Sequence, residues 1–247
     1  MVPGIDNLGE QALNKIAEVA LSTQLDEADN LEVEVKTDPG KLAQGELESL
    51  AIDGEGLVMQ EDLRMQKMQI QMNSIAVNPM KALMGNIELT KPTEGKAQIV
   101  LTEEDINRAF NSEILSDRMQ NLQIELDKER VTIDTERVDC HLLADGKIAI
   151  DAEIKVQQTG ENKQVSFQTT PHVSTDGRAV VLAEVEYQEG KELSPELTKA
   201  LLAKAREILT LSNFEMEGIS LRIQQLEVNS GKLILQAVAN VTQFPSN

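Results

Sequence analysis

The feature that most constrains this chain is an alternation of apolar and polar residues that recurs from Leu31 almost to the end, cut at intervals by glycine-containing turns. Leu31, Val33 and Val35 alternate with Glu32 and Glu34. Ile148, Ile150, Ala152, Ile154 and Val156 alternate without a break. A period of two places one side-chain set in a core and the other in water. A chain built from such segments must form antiparallel sheet with one covered face. Asp145-Gly146 and Asp176-Gly177 read as hairpin turns, and Asn229-Ser230-Gly231 joins the last two strands. Asp38-Pro39-Gly40 reads as a turn, and Asp53-Gly54 closes a strand that starts at Glu46.

The spacing predicts strands over Leu31 to Val35, Glu46 to Ile52, Leu63 to Met72, Ile87 to Leu89 and Ala97 to Leu101. Further strands are predicted over Leu122 to Leu126, Val131 to Ile133, Val138 to Leu142, Lys147 to Gln157, Val165 to Thr169 and Arg178 to Tyr187. Ile219 to Val228 and Leu233 to Val241 complete the set. Between Met65 and Met68 the alternation changes phase, which predicts a bulge near Gln66 and Lys67.

A few helices interrupt the strands. In Asp6 to Gln24, Leu8, Ala12, Ile16, Val19 and Ala20 fall on one helical face, and Leu13 and Leu21 widen the stripe. Asn78-Pro79 opens a short helix that Gly85 ends. Thr102-Glu103-Glu104-Asp105 resembles a capping box, with Asp for the usual Glu or Gln. The helix behind it turns Ile106, Ala109, Phe110 and Ile114 inward. Ser194-Pro195 opens another, with Leu197, Leu201, Ala205, Ile208 and Leu209 along one side.

Composition removes several classes of function. The net charge of −19 argues against nucleic acid, which demands clustered Lys and Arg. It also disfavours unassisted adhesion to an anionic bilayer. No stretch reaches the roughly 18 apolar residues of a membrane span. Met1 to Leu8 shows no basic region followed by an apolar one, so no signal peptide is visible. A cytoplasmic location is the expectation, or an envelope one for a trimmed chain. Cys140 is the one cysteine, so no internal disulfide forms. Aromatic residues make up 2% of the chain, with no Trp, which is poor material for stacking bases or sugars.

Catalytic patterns are missing too. His141 follows Cys140 in a strand, so their side chains point to opposite faces and cannot act as base and nucleophile. His172 follows Pro171. There is no nucleophile elbow, phosphate loop or zinc-binding helix. Gly54-Glu55-Gly56 lacks the third glycine and the helix of a phosphate site. Two histidines and one cysteine cannot build a zinc site alone. The expectation is a non-enzymatic protein without metal or cofactor.

Six of nine methionines lie between Met59 and Met84: Met59, Met65, Met68, Met72, Met80 and Met84. Unbranched thioethers suit surfaces that fit varied apolar ligands, and they also serve as core filler. The candidate pocket residues are Met65, Met68, Met72, Leu83, Met84 and Phe110.

Segments of this chain also resemble a known family. They are Leu31-Glu32-Val33-Glu34-Val35, the stretch from Leu42 to Gly56, and Ala97 to Ala109 with its Leu101-Thr102-Glu103-x-Asp105-x-Asn107-Arg108-Ala109 core. Together they look like the LmeA-like phospholipid-binding family, and in particular cyanobacterial members that begin without a signal peptide. The resemblance implies a fold related to tubular lipid-binding proteins, with a highly curved antiparallel sheet wrapping a few amphipathic helices around an apolar groove. It supplies no catalytic residues.

The sequence therefore predicts an α+β chain forming a single domain over 1–247. A faint internal similarity suggests two pseudo-repeated halves, about 1–120 and 121–247. The expected function is binding, and transfer, of phospholipid or another acyl lipid such as a glycolipid, with transient membrane contact. The alternative is a structural or protein-interaction module with a filled core and an acidic docking surface.

Overall fold

A computed structural model describes residues 6–59, 62–84, 88–126, 129–187, 202–203 and 218–242. Of the predicted helix from Ser194 only residues 202–203 are described, and they are helical; Gly85 and Ile87 lie outside the described residues. Among the described residues the chain is mostly antiparallel sheet with few helices, and one sheet is curled into a half-barrel.

Helix α1 (Asp6–Ser22) leads into β1 (Asn30–Lys36), α2 (Pro39–Ala43), β2 (Glu46–Met59) and β3 (Leu63–Ala76). After α3 (Pro79–Leu83) come β4 (Thr93–Thr102), α4 (Glu103–Phe110) and α5 (Glu113–Arg118). A meander follows: β5 (Leu122–Leu126), β6 (Glu129–Leu142), β7 (Ile148–Val156), β8 (Glu161–Val173) and β9 (Val180–Tyr187). The chain then returns to the first sheet as β10 (Ile219–Asn229) and β11 (Lys232–Val241). The first sheet has the order β1-β2-β3-β4-β11-β10, and the second runs β5 to β9 in sequence.

Several sequence expectations are corrected. Asp38-Pro39-Gly40 is not a simple turn. Asp38 accepts a hydrogen bond from the Lys41 N–H and Pro39 starts α2, because a capping carboxylate followed by proline at the first position favours a helical turn. Asp53-Gly54 does not end β2. Asp53 pairs with Gln69 and Gly54 with Met68 in unbroken register. Gly54 is there for space: a Cβ would lie 2.6 Å from Leu57 Cδ1.

The phase change in β3 is real, since burial shifts from Leu63 and Met65 to Met68, Ile70 and Met72. It is not a ladder bulge, because β2 and β3 keep one register across it. β3 is paired with β4 only from Lys67 onward. The end of the β2–β3 hairpin before Lys67 has no β4 partner, and Gly56 takes φ +59° there. Leu89 makes a single bridge to Val77 rather than part of a strand. Val131 to Ile133 and Val138 to Leu142 form one strand, because a register shift between Thr135 and Arg137 absorbs the polar residues between them. Ile114 falls in a separate helix, α5, and its side chain lies outside the described residues.

Two helices protect sheet edges by the same device. An edge strand leaves its outward N–H and C=O groups unpaired. On β1, the Val35 N–H donates to Asn14 Oδ1 at 2.8 Å, and just past its end the Thr37 N–H donates to Glu10 Oε1 at 2.9 Å. On β6, the Leu142 N–H donates to Glu103 Oε2 at 2.8 Å. Asn107 accepts from the Cys140 N–H and donates to its carbonyl, and Asn111 does the same at Val138. Four residues of helix rise about 6 Å and two residues of strand about 6.6 Å, so side chains four apart meet backbone groups two apart.

Candidate functional site

The first sheet has one apolar face. Val33, Val35, Leu50, Ile52, Met68, Ile70, Met72, Ala97, Ile99, Leu235 and Ala237 are buried on it, and Leu13, Ala17 and Leu21 of α1 join the same core, so the helix is rotated from the predicted stripe and leaves Ala12 and Val19 exposed. Met59, Met65, Met68, Ile70, Ala97, Ile99, Ile219 and Leu221 enclose a cavity of about 20 Å³. Two strands separate β3 from β10 in the sheet, yet both line this small space, so the sheet curls on its apolar side. The volume holds about one water molecule, and its wall is almost wholly hydrocarbon and thioether.

Of the predicted pocket residues, the structure brings Met65 and Met68 to this cavity. Met72 is buried farther along β3, where its Cγ lies 2.5 Å from the place a Cβ on Gly95 would take. The missing side chain of Gly95 is what lets Met72 pack down. Phe110 is buried in the same core at the end of α4 but does not line the cavity. Met84 is 81% exposed, and the Leu83 side chain lies outside the described residues. Sequence reasoning missed Ile70, Ala97, Ile99, Ile219 and Leu221 as wall residues, and grouped Met59 with the other methionines without placing it in the pocket. Their shared alternation marks them as core, but only pairing across the sheet gathers them.

The opposite face is polar. Glu32, Asp53, Gln69, Gln98 and Gln236 stand in one register row across five strands. A hollow of about 540 Å³ lies over this face, with Gln71, Lys96 and Gln224 also on its walls. Amides and charges share its lining with Ala51, Ile52, Ile70, Ala97 and Ala237, which makes it less suited to acyl chains than the cavity on the other face.

The Thr102-to-Ala109 motif proves to be a structural clasp. Thr102 Oγ1 accepts from the Asp105 N–H and Asp105 Oδ2 accepts from the Thr102 N–H, a complete capping box. The Asp105 side chain is 1% exposed and pairs with Arg64 Nη1 at 2.7 Å. Arg64 also reaches Asp29 at 3.2 Å. The Asp105 hydrogen bond and charge hold the Arg64 guanidinium above its ordinary pKa. Arg108 Nε donates to Asp62. The motif thus ties β3, β4 and β6 to one helix.

Glu103 is held below the ordinary carboxylate value, first by the Leu142 N–H and then by His141. Burial, with Glu103 nearby, pushes the Cys140 thiol up to about 12, which makes it a poor nucleophile. His141 stands exposed on the other face of the strand. Among the described residues no three His, Cys, Asp or Glu side chains are placed to hold a metal ion, and no helix is long and apolar enough to cross a membrane.

No curated protein matches the chain. No solved structure matches it either. Residues 4–238 match the family described as LmeA-like phospholipid-binding. With a curled antiparallel sheet closed on an aliphatic, methionine-lined interior, and with nearly its whole length matched, the chain belongs to the LmeA-like phospholipid-binding family.

Proposed function

We propose that this chain binds a phospholipid as one unit over its whole length, with the acyl chains in the apolar interior of the first sheet and the head group in water. Family membership supports lipid as the ligand. The observation that carries the location is the convergence of Met59, Met65 and Met68 on one apolar cavity. The cavity is too small for an acyl chain, so loading requires these side chains to swing aside. Thioether side chains do so at little cost, having three soft torsions and no branch. Each methylene buried contributes about 0.8 kcal/mol. Binding of this kind needs no bond-making residue, and lipid held this way is available for exchange between membranes.

The small cavity volume favours a second reading, a filled core whose acidic surface docks another protein. Native mass spectrometry separates the two. Purified protein is measured before and after incubation with mixed lipid vesicles, and bound lipid is extracted and analysed. A near-stoichiometric glycerophospholipid is expected. A clean apo mass after incubation would overturn lipid binding and leave the filled-core module.

A further inference from the structure

We infer that α3, at the tip between β3 and β4, is the surface through which this protein docks on a phospholipid bilayer; the inference extends the lipid-binding reading and rests on it. Met80 is 68% and Met84 81% exposed, the two highest values among the exposed large hydrophobic residues described. Met80 lies in α3 and Met84 in the turn that follows it, where the Met84 N–H donates to the Lys81 carbonyl, so the two are one turn of chain apart. Asn78 Oδ1 accepts from the N–H groups of Met80 and Lys81 and fixes the start of that turn. A pair of bare thioethers has no folding benefit in water, and paired exposed apolar groups mark contact surfaces.

Charge selects the partner. The chain carries 42 acidic residues, yet no Asp or Glu occurs between Leu63 and Ile87. Glu88, the first acid beyond, is paired with Lys81, and Lys91 is exposed nearby. The start of β2 lies alongside, with Glu46 opposite Ala76, but Glu46 and Glu48 both act on Lys41. Acids and lysines are matched there, so the tip carries little of the molecule's net negative charge to repel a phosphate-bearing surface. Lysine stems reach outward while apolar neighbours enter the acyl boundary.

Topology gives the same end of the molecule a path inward. α3 precedes β4 and α4 follows it, so the two helices lie at opposite ends of that strand. β3 runs toward α3 with Met68, Ile70 and Met72 buried on one face, and beyond Ser74 at φ +57° Ile75 is buried in the same core. An apolar track therefore leads from the cavity to the tip.

The test is flotation of the full chain with phosphatidylcholine vesicles, comparing wild type with Met80→Asp/Met84→Asp and with Val19→Asp, a control at an exposed apolar position on α1. The double variant is expected to float on the order of ten-fold less, and the control to match wild type. Equal flotation of wild type and double variant, equal loss in the control, or no flotation of wild type would overturn the inference. A wild-type dimer that the double variant splits would also overturn it, assigning the patch to a second copy of the chain. Lipid delivered from cyclodextrin, without a bilayer, keeps the two readings apart. The double variant is expected to capture it as wild type does, whereas failure of wild type to capture it would overturn lipid binding itself.

Discussion

Asn107 meets Cys140 as a neighbouring strand would: its Oδ1 accepts from the Cys140 N–H at 2.6 Å and its Nδ2 donates to the Cys140 carbonyl at 2.9 Å. One amide side chain thus satisfies both backbone groups that β5, paired only at residues 129–133 of β6, does not reach. Asn107→Ala removes both partners at once and leaves part-buried polar groups without compensation. The expected loss is about 1–3 kcal/mol in urea unfolding, with faster hydrogen exchange at the Cys140 amide. Unchanged exchange there would show that water replaces the clasp.

Among the ion pairs of the described residues, Arg64 and Asp105 form the one with the most deeply buried carboxylate. Arg64→Met leaves the Asp105 carboxylate buried with only its capping N–H as a strong partner. A loss of about 3–5 kcal/mol is expected. The double variant Arg64→Met/Asp105→Asn should lose less than the two single losses added together, because the unpaired charge is gone. Strict additivity in the cycle would deny the coupling.

Glu103 gives the fold an acid-side pH dependence. Its folded pKa is depressed below the ordinary 4.5 by the Leu142 N–H and then His141. A depressed carboxylate contributes stability that is full above the unfolded value and is lost as pH falls through the folded one. Glu103→Gln should therefore lose less stability than wild type between about pH 6 and about pH 3. Parallel curves for the two proteins would remove Glu103 from the linkage.

Cys140 should report unfolding rather than reactivity. Its thiol is buried and pushed up to about 12. Labelling by a disulfide reagent at neutral pH is expected to wait for opening of β6 and to accelerate in parallel with Asn107→Ala destabilisation. Rapid stoichiometric labelling of the native protein would contradict its burial.

Met65→Leu with Met68→Leu tests adaptability as distinct from burial. The swap conserves volume, so a stability change under about 1.5 kcal/mol is expected. Branched side chains should accept a narrower range of acyl chains than thioethers, read as a restricted lipid set in native mass spectrometry.

The strands were legible because a period of two over five or six residues is a local property. The capping box at Thr102 and the cap at Asn78 were legible for the same reason, each lying within four residues. Two local readings failed because the same residue types serve more than one local geometry. Gly54 looks like a turn residue but makes room for Leu57, and Asp38-Pro39 looks like a turn but caps α2. The edge clasps carried a signal of their own. Glu10 and Asn14, like Glu103 and Asn107, are spaced four apart on helices beside alternating strands. Nothing in the spacing says which strand they cover.

The sequence by itself determined that this chain is sheet with one wet and one dry face, capped by a few helices. Those properties follow from side-chain periodicity, charge and turn stereochemistry, which act over a few residues. Only the tertiary structure decided that β11 pairs with β4, that α4 closes the open edge of β6, and that Met59, Met65 and Met68 face Ile219 and Leu221. Alternating strands are nearly interchangeable as partners, so their order is set by the curl of the sheet and the packing of its buried face, not by any one segment.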